Sequence, residues 1–478
     1  MRRLVLERAV FLALLLAGCA TVERAPPASS AEAPLPAAFA LLDRERPATG
    51  TTAQLLPRGD QAYIELERRA LERAPTLAAA IARIEAARAG LRGARAERLP
   101  NVNASGSVER QRFNPGAQFG GGLPEGISIS PNRTNFNAGV DASFDADLFG
   151  RLRASQRAAA ARVDAAGADA AGVRLSLRGD IARAVIDARI LDEREAVIRR
   201  DIVSAADLVA VTRIRSRAGI APEFDLVRAQ SLEAEARGRI EPIRSERAGV
   251  IGRLVTLTGL AGQEVLASLA APAVPAPALI SAPSLPRLTV PSVLLRARPD
   301  VAAAERRLAA ADQEIAVAAA ERYPRLSITA ALGLFALGLG DLFNEDAIIG
   351  SVGAGLAGPL LDFGRVGARI DARQAEAREA FANYRDALFT ALGDTEAALG
   401  QIAAADTRAV VLERQAALDR DAAGLARERY RRGLDTLLTV IDAERSANNS
   451  RANAVDARGE VSRTRVALYR AIGGEAER

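Results

Sequence analysis

Two stretches, Arg151 to Ala218 and Arg365 to Arg432, each run 68 residues without a proline. Within them small and apolar residues recur at alternating steps of four and three. The first stripe is Leu177, Ile181, Ala184, Ala188, Leu191, Ile198, Ile202, Ala205 and Val209, interrupted at Glu195. The second is Thr395, Ala398, Ile402, Ala405, Ala409, Leu412 and Ala416. A mean step of about 3.5 predicts coiled-coil packing, and frequent Ala lets helix axes approach closely. At 1.5 Å per residue each stretch would be a rod of about 100 Å. Such a rod needs a partner along its side, because isolated helices are marginal in water. A plain helical bundle without a channel fits the same periodicity.

Between helical segments the period changes to two. From Phe136 to Leu148 every second residue is apolar, and the others are Asn, Gly, Ser or Asp. Leu326–Ala330 and Val352–Leu356 repeat the alternation, and the pattern predicts four strands in two hairpins, 100–148 and 325–362. A half-exposed soluble sheet alternates in this way. So does a membrane barrel, whose strands of about ten residues set an apolar face against lipid and a polar face against a wet lumen. Four strands cannot enclose a water-filled pore, since about eight are needed even for a packed barrel. Lipid does not tolerate open sheet edges. Strands that cross a membrane here would therefore require several chains to share one barrel. The alternative is a soluble sheet capping a bundle.

The pattern is written twice. Ala74-Pro75-Thr76-Leu77 matches Arg298-Pro299-Asp300-Val301, and Glu97-Arg98-Leu99-Pro100 matches Glu321-Arg322-Tyr323-Pro324, both at an offset of 224. Phe149-Gly150-Arg151 matches Phe363-Gly364-Arg365, and Gly219 matches Gly433, at 214. The difference of ten residues falls inside the first hairpin, as expected of a loop. The predicted organisation is a first repeat over 61–259, a proline-rich link over 260–297, a second repeat over 298–474 and a tail at 475–478. Shorter helical segments at 76–98 and 222–258, and at 300–322 and 434–472, supply partners for the two rods.

The N-terminus reads as an address. Arg2, Arg3 and Arg8 precede a short apolar run from Ala9 to Leu16, the form of a secretory signal peptide over 1–18. Leu16-Ala17-Gly18-Cys19 resembles a bacterial lipobox, which implies a lipid on the Cys19 thiol after cleavage. An ordinary signal peptide with a chance cysteine is the alternative. Residue 20 is Ala rather than Asp, which by the same resemblance implies the outer membrane. Residues 19–60, with Pro26, Pro27, Pro34 and Pro36, are expected to form an extended tether.

Composition narrows the chemistry. The 478 residues contain no His and no Lys, so all 64 basic residues are Arg, against 59 acidic ones. Without His there is no Ser-His or Cys-His pair and no imidazole metal site. Without Lys there is no phosphate-loop lysine and no Schiff base. Cys19 is the single cysteine. A catalytic role is not expected, and no cofactor beyond the covalent lipid is implied. Net charge is +5, falling to +3 once residues 1–18 are removed, and no basic run suggests nucleic acid as a partner.

Arg298-Pro299-Asp300-Val301 with Ala304-Glu305, Tyr323-Pro324, Leu361-Asp362-Phe363-Gly364-Arg365 and Tyr430-Arg431-Arg432-Gly433 together resemble the outer-membrane factors of tripartite efflux systems. The resemblance is to the lipoprotein branch (OprM- and NodT-like) of the TolC superfamily. It implies a mainly α fold with a transmembrane β-barrel, internally duplicated. Three identical chains would contribute four strands each to a twelve-stranded barrel, with the long helices forming a coiled-coil α-barrel in the periplasm. It also implies a periplasmic adaptor and an inner-membrane pump of the resistance-nodulation-division type as partners. The function implied is a passive exit duct, with drugs or other small amphiphiles favoured as cargo over soft metals.

The resemblance places a periplasmic gate at Tyr430, Leu438, Asp442 and Arg445. One Asp442 per chain on a three-fold axis would make a carboxylate ring that invites a cation, and Leu438 one turn before could add an apolar collar. Arg445 lies three residues after Asp442, where the two can pair. Asp442 as a plain solvated helix carboxylate, and Tyr430 as helix-end packing, are the alternatives. Glu444 stands where the family usually has Gln, and the repeat offset sets Arg228 opposite Asp442. A structural coiled-coil lipoprotein of the envelope is the second functional reading. A hydrolase using carboxylates alone would need a cleft, and no segment outside the helical wall is large enough to hold one.

Overall fold

The computed structural model describes residues 36–42, 50–112, 132–270, 285–286 and 296–474. Cys19, the signal peptide, much of the 19–60 tether, most of the 260–297 link and the tail lie outside the described residues.

The elements in chain order are α1 (Gln61–Arg73), α2 (Pro75–Ala96), β1 (Asn101–Arg112), β2 (Asn132–Ala146), α3 (Arg151–Arg217), α4 (Glu223–Gly238), α5 (Ile240–Thr258) and α6 (Gly262–Leu269). The second repeat supplies α7 (Pro299–Ala320), β3 (Arg325–Ala336), β4 (Ile348–Ala357), α8 (Arg365–Arg431) and α9 (Leu437–Ala471). The two long helices have 67 residues each. Each is bracketed by glycines with left-handed backbone, Gly150 and Gly219 in one copy, Gly364 and Gly433 in the other. Only glycine takes that conformation at little cost, so the punctuation repeats with the sequence.

The 222–258 segment is two helices rather than one. Pro242 has no N–H to donate to the carbonyl of Gly238, and its ring crowds that turn, so the helix breaks at Arg239. The repeat-equivalent position carries Asp456, and α9 runs unbroken through 35 residues. Residues 50–60 are not an extended tether: Thr52–Leu55 forms a 3-10 turn and Leu55 and Leu56 are buried. Asp60 then caps α1, accepting from the Ala62 and Tyr63 amides.

The chain divides into two units. Among the described residues the first comprises 86–164 and 306–382. It holds one antiparallel sheet of order β1-β2-β3-β4. The β2–β3 pairing, with Phe136 opposite Ala336 and Ala146 opposite Leu326, joins the two copies. Opposed residues share a face. By this register Val102, Ala104, Val108, Phe136, Val140, Phe144, Ile328, Leu332, Val352 and Leu356 lie on one side. Asn103, Ser105, Ser107, Asn137, Asp141, Ser143, Ser327 and Thr329 lie on the other, where Asn103 donates to Asp141 and Asn137 to Ser107. Gly139 sits opposite Gly333 on that side, and a Cβ built on Gly333 would stand 2.9 Å from the Ala138 carbonyl oxygen, so only glycine fits. Val352 and Leu332 are 84% and 65% exposed, a bare apolar face. β1 and β4 are the open edges. Below the sheet Ala318 and Ala319 pack on Val366 and Ile370.

Among the described residues the second unit takes those that fall within 32–85, 165–305 and 383–478. Its main core gathers Tyr63 and Leu66 of α1, Ile181, Ile186 and Ile190 of α3, Leu254 of α5, Ile402 of α8 and Leu468 and Tyr469 of α9. The predicted stripes face inward: Leu177, Ile181, Ala184, Ala188, Leu191, Ile198, Ala205 and Val209 are buried, as are Thr395, Ala398, Ile402, Ala405 and Ala409. Ile202, Leu412 and Ala416 are half-buried. Arg189 lies inside this core. It donates to Asp60 at 2.8 and 3.2 Å and to the Leu269 carbonyl at 2.9 Å, tying α3 to the start of α1 and the end of α6.

Candidate functional site: the gate residues and the apolar sheet face

The gate candidates lie where α8 turns into α9. Gly433 closes α8 with φ 72°, and Thr436 caps α9 by accepting from the Thr439 amide at 3.4 Å. Tyr430 is buried at 3% exposure. The Arg215 guanidinium of α3 covers its ring at 4.7 Å and donates to its carbonyl at 2.6 Å. The Tyr430 hydroxyl lies 3.4 Å from Thr212 Oγ1. Around this tie Leu208, Val209, Leu232, Ala426, Leu437, Val440 and Ile441 form a second core. The ends of α3 and α8 are therefore locked by one aromatic side chain and one arginine.

Leu438 and Asp442 point away from that core and are exposed. Among the described residues Asp442 has no ion-pair partner. Arg445 does not pair with it: the guanidinium reaches across to Glu235 of α4 at 3.0 Å. An arginine can choose any carboxylate within reach of its long stem, so spacing along one helix does not select the partner. Both ends of this bridge are half exposed, and such a pair contributes little to stability. Arg228, the repeat counterpart of Asp442, lies over the Phe224 ring at 5.3 Å, so the first copy offers no matching carboxylate.

Two buried carboxylates lie near the candidate gate residues: Glu444, noted from sequence only for its departure from the family's Gln, and Asp201, which the sequence did not single out. Glu444 is 7% exposed and 2.8 Å from Arg427 of α8. Asp201 of α3 is 4% exposed and meets Arg451 of α9 at 2.5 Å and Arg239, at the α4–α5 break, at 3.3 Å. Burial raises both carboxyls above their ordinary range, against the pull of these arginines. For Asp201 the only sequence signal was that it borders an apolar stripe. Because both are raised when folded, the folded chain holds more protons than the unfolded chain in the mildly acidic range. The contribution of these groups to stability is thus largest at acidic pH and falls as pH rises through their raised values. Glu444→Gln is expected to flatten this fall; thermal melts of both proteins across the mildly acidic to neutral range check it, and parallel curves would refute it.

The described residues contain no cluster of His, Cys, Asp and Glu suited to a metal ion. Nor is any single helix among them long and apolar enough to cross a membrane; that test says nothing of the sheet.

A four-stranded sheet with one apolar face, one polar face and two open edges, joined to paired 67-residue helices, defines the protomer of a TolC-like outer-membrane channel. The profile of the outer membrane efflux protein family matches residues 66–260 and 290–474, and the chain belongs to that family. The pyoverdine export outer membrane protein OpmQ of Pseudomonas putida is 31% identical over 400 residues, 83% of each chain. The toluene efflux pump outer membrane protein TtgI of Pseudomonas putida is 28% identical over 487 residues, 97% of each chain. Among solved structures, the outer-membrane channel OprN superposes with a TM-score of 0.80 at 29% identity, covering 91% of this chain and 94% of that one. VceC of Vibrio cholerae shares the fold, with a TM-score of 0.78 at 24% identity over 89% of this chain and 99% of that one. The chain is an outer-membrane efflux protein.

Proposed function

We propose that three copies of this chain close one twelve-stranded barrel and act as the passive exit duct of a tripartite system. A periplasmic adaptor and a resistance-nodulation-division pump supply the other two parts and the energy, and the duct itself performs no catalysis. The observation that carries this reading is the sheet. Its apolar face is bare, and its edge strands β1 and β4 leave backbone groups unpaired, which lipid does not permit. Pairing β4 of one copy with β1 of the next removes every edge. A structural coiled-coil lipoprotein would have no use for such a sheet.

The relatives named for pyoverdine and toluene export favour small organic cargo, as does a chain with no His to offer soft metals. Cys19 would carry the lipid, adding acyl anchoring to the barrel. At the periplasmic end Asp442 would form the carboxylate ring and Leu438 the collar beside it, with Tyr430 and Arg445 holding the helix ends. The mass of the purified protein in mild detergent tests the assembly: three chains is the expected value, and one chain would overturn it. Asp442→Ala is expected to raise single-channel conductance in planar bilayers and to weaken block by divalent cations. Unchanged conductance with unchanged block would remove Asp442 from the gate.

A further inference from the structure

One contact of the repeat is made in the first copy and left unmade in the second. Phe149 follows β2, and its ring stacks on Tyr323 with centroids 4.6 Å apart and planes inclined by 14°. Tyr323 belongs to the turn that leads into β3, and the two strands pair at this end through Ala146 and Leu326. The stack therefore bridges the seam between copy one and copy two, with Phe149 left 47% exposed. In copy two the same Phe-Gly-Arg tripeptide places Phe363 after β4, an edge strand. In copy one the turn equivalent to that of Tyr323 places Leu99 before β1, the opposite edge.

Both residues are bare. Phe363 is 88% exposed and Leu99 65%. Phe363 also takes φ +52°, and among the described residues no other non-glycine has a positive φ. A left-handed backbone at a bulky residue persists where something outside the local sequence compensates it. Among the described residues nothing covers this ring, which is 88% exposed.

We propose that Phe363 packs on Leu99 of a second copy of this chain, repeating across the seam between protomers the contact that Phe149 makes with Tyr323 within one. The inference rests on the shared-barrel reading and adds the residues that set the order of the copies. The two patches lie at opposite edges of the sheet, so each copy offers one patch to each side and the contacts run in one direction around a closed ring. Leucine in place of tyrosine exchanges ring stacking for apolar burial, and the strained turn aims the ring across the seam.

The full-length double variant Leu99→Cys, Phe363→Cys tests this by mild oxidation in isolated outer membranes and denaturing gels. Covalent species of two and three chains are expected, with none in either single variant. Phe149→Cys, Tyr323→Cys, which probes the internal seam, is expected to stay at one chain. A double variant that remains at one chain, linked internally or not linked, overturns the contact even where the detergent mass is three chains. A detergent mass of one chain for the unmodified protein would instead overturn the shared barrel. A second measurement does not depend on cysteine geometry. Leu99→Tyr, which recreates the internal pair, is expected to raise the temperature at which the assembly dissociates in detergent, and Phe363→Ser to lower it. No shift in either variant means the ring faces lipid, and the proposal fails.

Discussion

Replacing Arg189 with Ala is expected to melt the second unit at a much lower temperature than the unaltered protein. The Arg189 side chain is 3% exposed and its partner Asp60 is fully buried. Removing the guanidinium leaves the Asp60 carboxylate without its counter-charge, and it strips a donor from the Leu269 carbonyl. Breaking one side of a buried ion pair costs about 3–5 kcal/mol. The loss should be local to α1 and α6, the two elements that Arg189 holds to α3. Arg68→Ala is the control, because Arg68 bridges Glu65 and Glu72 on an exposed surface and little change is expected. Replacing Asp60 and Arg189 together by apolar residues should recover part of the loss, since the double change leaves no buried charge unpaired. Thermal melts followed by far-ultraviolet circular dichroism read all three. If Arg189→Ala melts like Arg68→Ala, the clamp is not what secures α1.

Arg215→Ala is expected to open the channel. Among the described residues Arg215 is the one side chain that both covers the Tyr430 ring and binds the Tyr430 carbonyl, so it spans the α3–α8 contact beside the proposed gate. A partly desolvated cation–π contact and a charge-assisted hydrogen bond together contribute about 3 kcal/mol. A change of that size alters a closed-to-open ratio by roughly a hundredfold. Tyr430→Ala should act in the same direction. Tyr430→Phe keeps the ring and the carbonyl and loses only the 3.4 Å contact to Thr212, so it should behave close to the unaltered protein. Conductance in planar bilayers, and entry of large antibiotics into cells carrying the variant, distinguish the three. A channel that stays closed with Arg215→Ala would place the lock elsewhere.

The contrast between Tyr430 and Arg445 shows where sequence reasoning reaches. Tyr430 was a gate candidate by resemblance and a packing residue by its place at a helix end. The structure shows it packed within the chain, under Arg215, a residue nothing in the local sequence pointed to. The three-residue spacing allows Arg445 to pair with Asp442, yet its partner is Glu235, which is 210 residues away. Asp201 was missed for the same reason: its two arginines come from α9 and from the α4–α5 break, which no local pattern brings together. Pro242, by contrast, announces the helix break in the sequence itself, through a missing donor four residues from Gly238.

What the sequence determined by itself was the long-range pattern: both long helices and their bounding glycines, the alternating strands, the duplication and the inward stripes. Those features follow from backbone preferences and from burial repeated every two or three to four residues, and such forces act over a few positions along the chain. Tertiary structure alone decided which arginine meets which carboxylate, that residues 50–60 join the core, and that Phe149 stacks on Tyr323 while Phe363 stays 88% exposed. With 64 arginines and 59 acidic residues there are many electrostatically acceptable pairings, and the backbone path chooses among them by bringing distant segments within reach.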